Sequence, residues 1–192
     1  MIKKKKKWNW AAIIISFILI SSTFAITFFG FTTETDTTRR YKDYKFTRTS
    51  DGWQAKVNDR QVFFNYLPQE VENIDMHRTI ADGLKLTPEI DITSNINDTN
   101  ADAIALAEVQ MEQVLRDLSF IYVRKGFDTN TSFNLPIITC NESDNVPVIY
   151  FKTGLNTSIT VENKCVIAEG ASGQDVLRLK DRIIYAIYGI IQ

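Results

Sequence analysis

From Trp8 to Thr33 the chain contains no charged residue, and Ala11 to Phe31 is dominated by Ile, Phe, Leu and Ala. A helix of that length spans roughly 31 Å, close to the apolar thickness of a bilayer. After it the pattern changes to short periodic segments. Tyr44–Arg48, Trp53–Val57 and Gln61–Tyr66 alternate between apolar and polar residues. They are separated by Thr49-Ser-Asp-Gly52 and Asn58-Asp-Arg60, so they predict an antiparallel meander. Pro68 to Asp75 suggests a short helical turn with Val71 and Ile74 inward, and Ile80 to Leu86 reads as irregular. Glu89-Ile-Asp-Ile-Thr93 alternates as a short half-buried strand.

Ile104, Ala107, Met111, Val114, Leu115 and Leu118 recur at helical spacing, which predicts a helix over about 101–118. Asn100 is its expected cap, and Glu108 and Glu112 are expected on its polar side. Phe120–Arg124, Pro136–Cys140, Val146–Phe151, Ser158–Val161 and Cys165–Ala168 read as strands, with Lys125-Gly126 as a break. Ser172-Gly-Gln-Asp175 opens a last helix to about Tyr188, whose apolar face holds Val176, Leu177, Leu179, Ile183, Ile184 and Ile187. Gly189 stops it. Strands and helices do not alternate strictly. The expected fold is α+β: an N-terminal transmembrane helix, then one mostly antiparallel sheet domain with two main helices. The divisions are a basic N-terminus (1–10), a transmembrane helix (11–31), a linker (32–43) and an extracytoplasmic domain (44–192).

Charge sets the orientation. Lys3 to Lys7 precede the apolar run and belong on the cytoplasmic side, with Trp8 and Trp10 at the interface. The chain is thus expected to sit in the cell membrane as a single-pass protein with its C-terminal domain extracellular. Thr23-Phe-Ala25 offers an alternative, a secretory signal cleaved there, although the apolar run outlasts an ordinary signal core. Five of the 22 basic residues precede the run and all 23 acidic residues follow it, so the exported part carries a net charge of −6. An acidic domain without a basic cluster is a poor nucleic-acid binder.

Candidate chemistry is sparse. Cys140 and Cys165 both follow the anchor, where a disulfide between them is the default. A catalytic cysteine would need His77, the only histidine. Four sequons, at Asn97, Asn130, Asn141 and Asn156, also follow the anchor and are glycosylation candidates; as turn residues they need no glycan. Asn95, Asn97, Asp98, Asn100 and Asp102 resemble a calcium loop but lack its glycine and bidentate glutamate. No metal set, cofactor loop or catalytic set is assigned. Glu89 and Asp91 would share one strand face, as a glycosidase pair does. Consecutive apolar residues at Phe63, Phe64, Tyr66 and Leu67, with Tyr185, Tyr188, Ile190 and Ile191 near the C-terminus, must in part be core; any part left exposed would be an interaction patch, which favours binding over catalysis. The function expected is a non-catalytic, protein-interacting subunit or assembly factor of a cell-envelope complex, with another envelope protein as partner. The alternatives are an envelope-polymer hydrolase using carboxylates and a pilin-like filament subunit.

The segments Ile138-Ile-Thr-Cys-Asn, Val146-Pro-Val-Ile-Tyr-Phe-Lys-Thr-Gly, Cys165-Val-Ile-Ala-Glu-Gly and Asp175-Val-Leu-Arg-Leu-Lys-Asp-Arg-Ile-Ile-Tyr resemble a group of uncharacterised membrane-anchored archaeal proteins. The hairpin running from Phe46 through Gly52-Trp53 to Phe64-Asn-Tyr-Leu-Pro68 is similar too. The resemblance implies origin, disulfide and topology, and transfers no activity and no functional residue.

Overall fold

The computed structural model describes residues 10, 14–19, 37–141 and 146–191. Contacts divide the chain into two units, Met1–Thr37 and Thr38–Gln192. In the first, residues 14–19 are helical and exposed. Among the described residues no helix is long and apolar enough to cross a membrane. The remainder of the 11–31 segment, the lysine run and Thr23-Phe-Ala25 lie outside the described residues.

The second unit is α+β and contains an antiparallel sheet, β1 (Thr38–Tyr41), β2 (Tyr44–Arg48), β3 (Trp53–Val57) and β4 (Arg60–Phe64), in that order. β1 lies inside the stretch expected to be linker, so the compact unit begins before residue 44. The remaining strands of the meander follow the sequence pattern closely. Along β3, Trp53, Ala55 and Val57 are buried while Gln54 and Lys56 are exposed. Asn58 and Asp59 both take positive φ, as a tight hairpin turn with right-handed twist demands. Phe64 points inward and Phe63 only partly so, which resolves the crowded aromatic run.

Helices α1 (Pro68–Val71) and α2 (Arg78–Lys85) follow. α1 buries Val71, and Ile74 beyond it is buried as expected. α2 occupies a stretch read as irregular. Gly83 and Thr79 weaken helix propensity there, but Ile80, Ala81 and Leu84 bury one face and so hold the short helix together.

The second sheet holds β6 (Tyr122–Phe127), β5 (Glu89–Ser94), β7 (Val148–Thr153), β9 (Cys165–Gly170) and β8 (Ser158–Glu162), in that spatial order. Here the expectation of one mostly antiparallel sheet fails. β5 pairs in parallel with β6 and β7, and β7 with β9; only the β8–β9 hairpin is antiparallel. The reason is the connections. Helix α3 (Ala101–Ser119) returns the chain from β5 to β6, and a long crossing without a helix leads from β6 to β7. Pro136–Cys140, expected as a strand, is part of that crossing and makes only an isolated bridge, between Ile137 and Phe127. The expected break at Gly126 is absent as well. β6 runs through it, and a Cβ there would stand 2.4 Å from the Pro136 carbonyl oxygen, so only glycine admits the crossing chain.

β5 is central and buried on both faces, so its alternation is chemical rather than exposure-driven. Ile90 and Ile92 enter the main core with α3 and the last helix, α4 (Gly173–Ile187). On the opposite face Thr93 donates from Oγ1 to the Ile138 carbonyl at 2.8 Å. Ile138, Val148, Cys165 and Ile167 form a second small core there, under the crossing. Cys140 and Cys165 are disulfide-bonded with Cα atoms 5.3 Å apart, which fastens the crossing to the start of β9. By the chain-entropy account such a loop stabilises by about 3 kcal/mol.

On α3 the predicted apolar face is inward, but Glu108 joins it, only 8% exposed. Burial raises its carboxyl above the ordinary range, against the opposing pull of Ser94 and Lys125. α4 starts where Ser172 accepts from the Asp175 amide, and Gly189 follows it in the left-handed region. Its burial is wider than one apolar stripe. Lys180, Asp181 and Arg182 are all buried. Asp181 pairs with Lys180 and accepts from the Asn65 and Tyr66 amides at 2.8 Å each. Arg182 donates to the Ile74 carbonyl at 2.8 Å, and Tyr185 to the Tyr66 carbonyl at 2.6 Å. Phe64 stacks on Tyr185 with centroids 4.5 Å apart. These contacts join the meander to α4.

Candidate functional site

In sheets of parallel strands ligands usually enter at the strand C-terminal ends, where the chain departs in opposite directions from neighbouring strands. Here that position lies between β5 and β7, since β5 is followed by β6 on one side and β7 on the other. The crevice is filled by the protein itself. Asp98, in the loop after β5, accepts from the Thr153 amide at 2.8 Å and from its hydroxyl. It also accepts from the Asn100 amide at 2.8 Å, and Asn100 Nδ2 donates to Thr153 Oγ1 at 2.9 Å. Burial pushes the Asp98 carboxyl up, but these hydrogen bonds outweigh that and hold it below the ordinary range. Beside it Tyr150 donates to Asp128 at 2.8 Å, and burial together with that carboxylate pushes the phenol up to about 12. Asn95 Nδ2 donates to Asp128 at 3.3 Å. Of the residues resembling a calcium loop, Asn95, Asp98 and Asn100 are thus committed to neighbouring protein groups. Among the described residues no cluster of three or more His, Cys, Asp or Glu is arranged to hold a metal.

Glu89 and Asp91 do come together, around an arginine. Arg124 donates from Nε to Asp91 Oδ1 at 2.8 Å and from its terminal nitrogen to Oδ2 at 2.6 Å. Glu89 stands 3.8 Å from the same Nε. Asp91 is 2% exposed, so this bidentate pair stabilises a carboxylate buried on the central strand. Both Asp91 oxygens are occupied, unlike an acid–base pair facing a sugar.

The open concavity lies at the other end of the strands. It encloses about 650 Å³, in the range of small-ligand and peptide sites. α2 forms one wall through Ile80, Gly83 and Leu84, and the β8–β9 hairpin forms the other through Val161 and Val166. Pro88 and Pro147, the residues preceding β5 and β7, line it between them. Leu86 is 84% exposed and Val161 45%, an apolar display rimmed by His77, Asn163 and Lys164. His77 caps α2: its Nδ1 accepts from the Thr79 amide at 3.4 Å and lies 2.8 Å from the Thr79 hydroxyl. It is exposed, and nothing in the local sequence marks its place at the mouth. The hidden signal was Ile80 and Leu84 at helical spacing, with Leu86 left over just beyond the helix.

Of the residues singled out in the sequence, Cys140 and Cys165 are joined. Asn97, Asn130, Asn141 and Asn156 are all exposed. Tyr185, Ile190 and Ile191 belong to the core rather than to a surface patch. Comparison with known proteins adds no assignment, since no family model, no curated protein and no solved structure matches this chain.

Proposed function

We propose that the protein is a membrane-tethered extracytoplasmic domain that docks an apolar segment of another envelope protein in the groove between α2 and the β8–β9 hairpin. The observation that carries this reading is the open apolar groove with Leu86 and Val161 displayed at its edges, on a domain whose other conspicuous polar clusters bond to their own neighbours. The tether is the uncharged stretch 11–31 with lysines before it, acting in the lipid bilayer. The Cys140–Cys165 bond supports an oxidising location. In this reading the groove supplies apolar contact, and the His77, Asn163 and Lys164 rim supplies register.

Affinity recovery of the full chain from detergent-solubilised membranes tests it. A stoichiometric envelope protein is expected with the parent chain and is lost with the double variant Leu86→Asp, Val161→Asp. No stoichiometric partner, or undiminished recovery with the double variant, refutes it.

A further inference from the structure

Three of the four sequons share one end of the sheet. Asn97 follows β5, Asn130 follows β6 and Asn156 follows β7, each in the loop leaving a C-terminal strand end. The loops are mutually bonded. The Thr153 amide donates to Asp98, Asn95 donates to Asp128, and the Asp128 amide donates to the Ser94 carbonyl at 3.1 Å. Asn141 lies apart, next to the disulfide that reaches the start of β9.

The asparagines of this end divide by use. Asn95 and Asn100 spend their side-chain amides on Asp128 and Thr153. Neither begins a sequon. Asn97, between them, begins one; its side chain is exposed and only its backbone amide is bonded, to Asn95 at 2.8 Å. Asn130 and Asn156 are likewise exposed. The hydroxyl residues two positions on are Thr99 and Ser132, both exposed, and Ser158, half-buried where β8 begins. A substituent on Asn95 or Asn100 would break the bonds that close the crevice, whereas one on Asn97, Asn130 or Asn156 projects into solvent.

We infer that this end of the domain is a glycan-bearing pole, with N-linked oligosaccharide on Asn97, Asn130 and Asn156. The donor class is a polyprenyl-phosphate-linked oligosaccharide. Asparagine Nδ2 forms a bond to the anomeric carbon as the carbon–oxygen bond to phosphate breaks. The phosphate leaves with the electron pair, and the amide proton passes to a base of the transferase. The inference rests on the exported location proposed above. It goes further by placing three glycans together at the end where the loops are mutually bonded, away from the groove.

The full chain isolated from its native membranes provides the test, by glycopeptide mass mapping together with alkylation of free cysteines before reduction. The expected result is a formed disulfide and sugar-bearing peptides at all three positions. Asn97→Gln, Asn130→Gln and Asn156→Gln should each remove one glycan mass, and Thr99→Ser should retain it. Peptides of unmodified mass at the three positions in a disulfide-bonded chain overturn the glycan pole and leave export standing. Unmodified peptides in a chain with free cysteines overturn both. Sugar on Asn141 alone also overturns the pole.

Discussion

The two ends of the five-stranded sheet put the segments that join its strands to opposite uses. At the C-terminal ends of the parallel strands, Asp98, Asn100, Asp128 and Asn95 bond to Thr153, Tyr150 and one another, and the crevice between β5 and β7 is closed. At the other end prolines precede β5 and β7, Val161 and Leu86 face outward, and a groove stays open. Side chains in the first case spend most of their hydrogen-bonding groups on one another, Asp128 Oδ1 being the buried oxygen among them without a partner. Displayed apolar side chains in the second keep much of their surface in water, and covering it is favourable by about 25 cal/mol per Å². The end that fold rules nominate for binding is therefore the one whose loop side chains bond chiefly to one another.

The largest test breaks what both ends share. α4 begins at the closed end and is held to the meander through Asp181. Asp181→Ala leaves buried Lys180 without its partner and two amides without an acceptor. It should destabilise the fold by about 3–5 kcal/mol in urea unfolding. A loss below about 1 kcal/mol would mean that the buried pair is dispensable.

Next in size is the crossing that runs from one end to the other. Replacing Cys140 and Cys165 with serine should cost about 3 kcal/mol. Amide exchange should then rise around Thr93, Ile138 and Val148 while the meander stays protected. Uniform loss of protection would show that the second small core is not a separable layer.

Asp98→Ala strikes the closed end alone, with an expected cost of about 1–3 kcal/mol. Its sign with pH follows from a carboxyl held below its ordinary range. The contribution is fully present above the unfolded carboxyl's pKa and is lost as pH falls through the folded one. The parent and Asp98→Ala curves should therefore converge in acid. Curves that stay parallel would show the Thr153 contacts to be incidental.

The smallest stability change belongs to the open end. Leu86→Asp should shift unfolding by under about 0.5 kcal/mol, since the side chain is exposed. It should also weaken partner binding by roughly tenfold or more. A large loss of stability would assign Leu86 to the core and remove the contrast between the ends.

The meander was the most legible part of the chain because an antiparallel sheet packed on one face writes its burial directly as alternation, as Trp53, Ala55 and Val57 do. α3 was legible for the same reason at helical period. The parallel layer was not. A central strand such as β5 is buried on both faces, so Asp91 and Thr93 look exposed in the sequence until Arg124 and the Ile138 carbonyl are placed beside them. Glu108 misled in the same way, because its partners Ser94 and Lys125 come from other elements.

The sequence by itself determined the turn chemistry of the meander, the helical faces, and the candidates Cys140, Cys165 and the four sequons. The tertiary structure decided the parallel pairing, the joining of the two cysteines, the plug of Asp98 in the crevice, and the groove between α2 and β8–β9. Local pattern records whether a residue prefers water or core. It does not record which remote strand or carbonyl meets it, and both the closed end and the open end are made by such meetings.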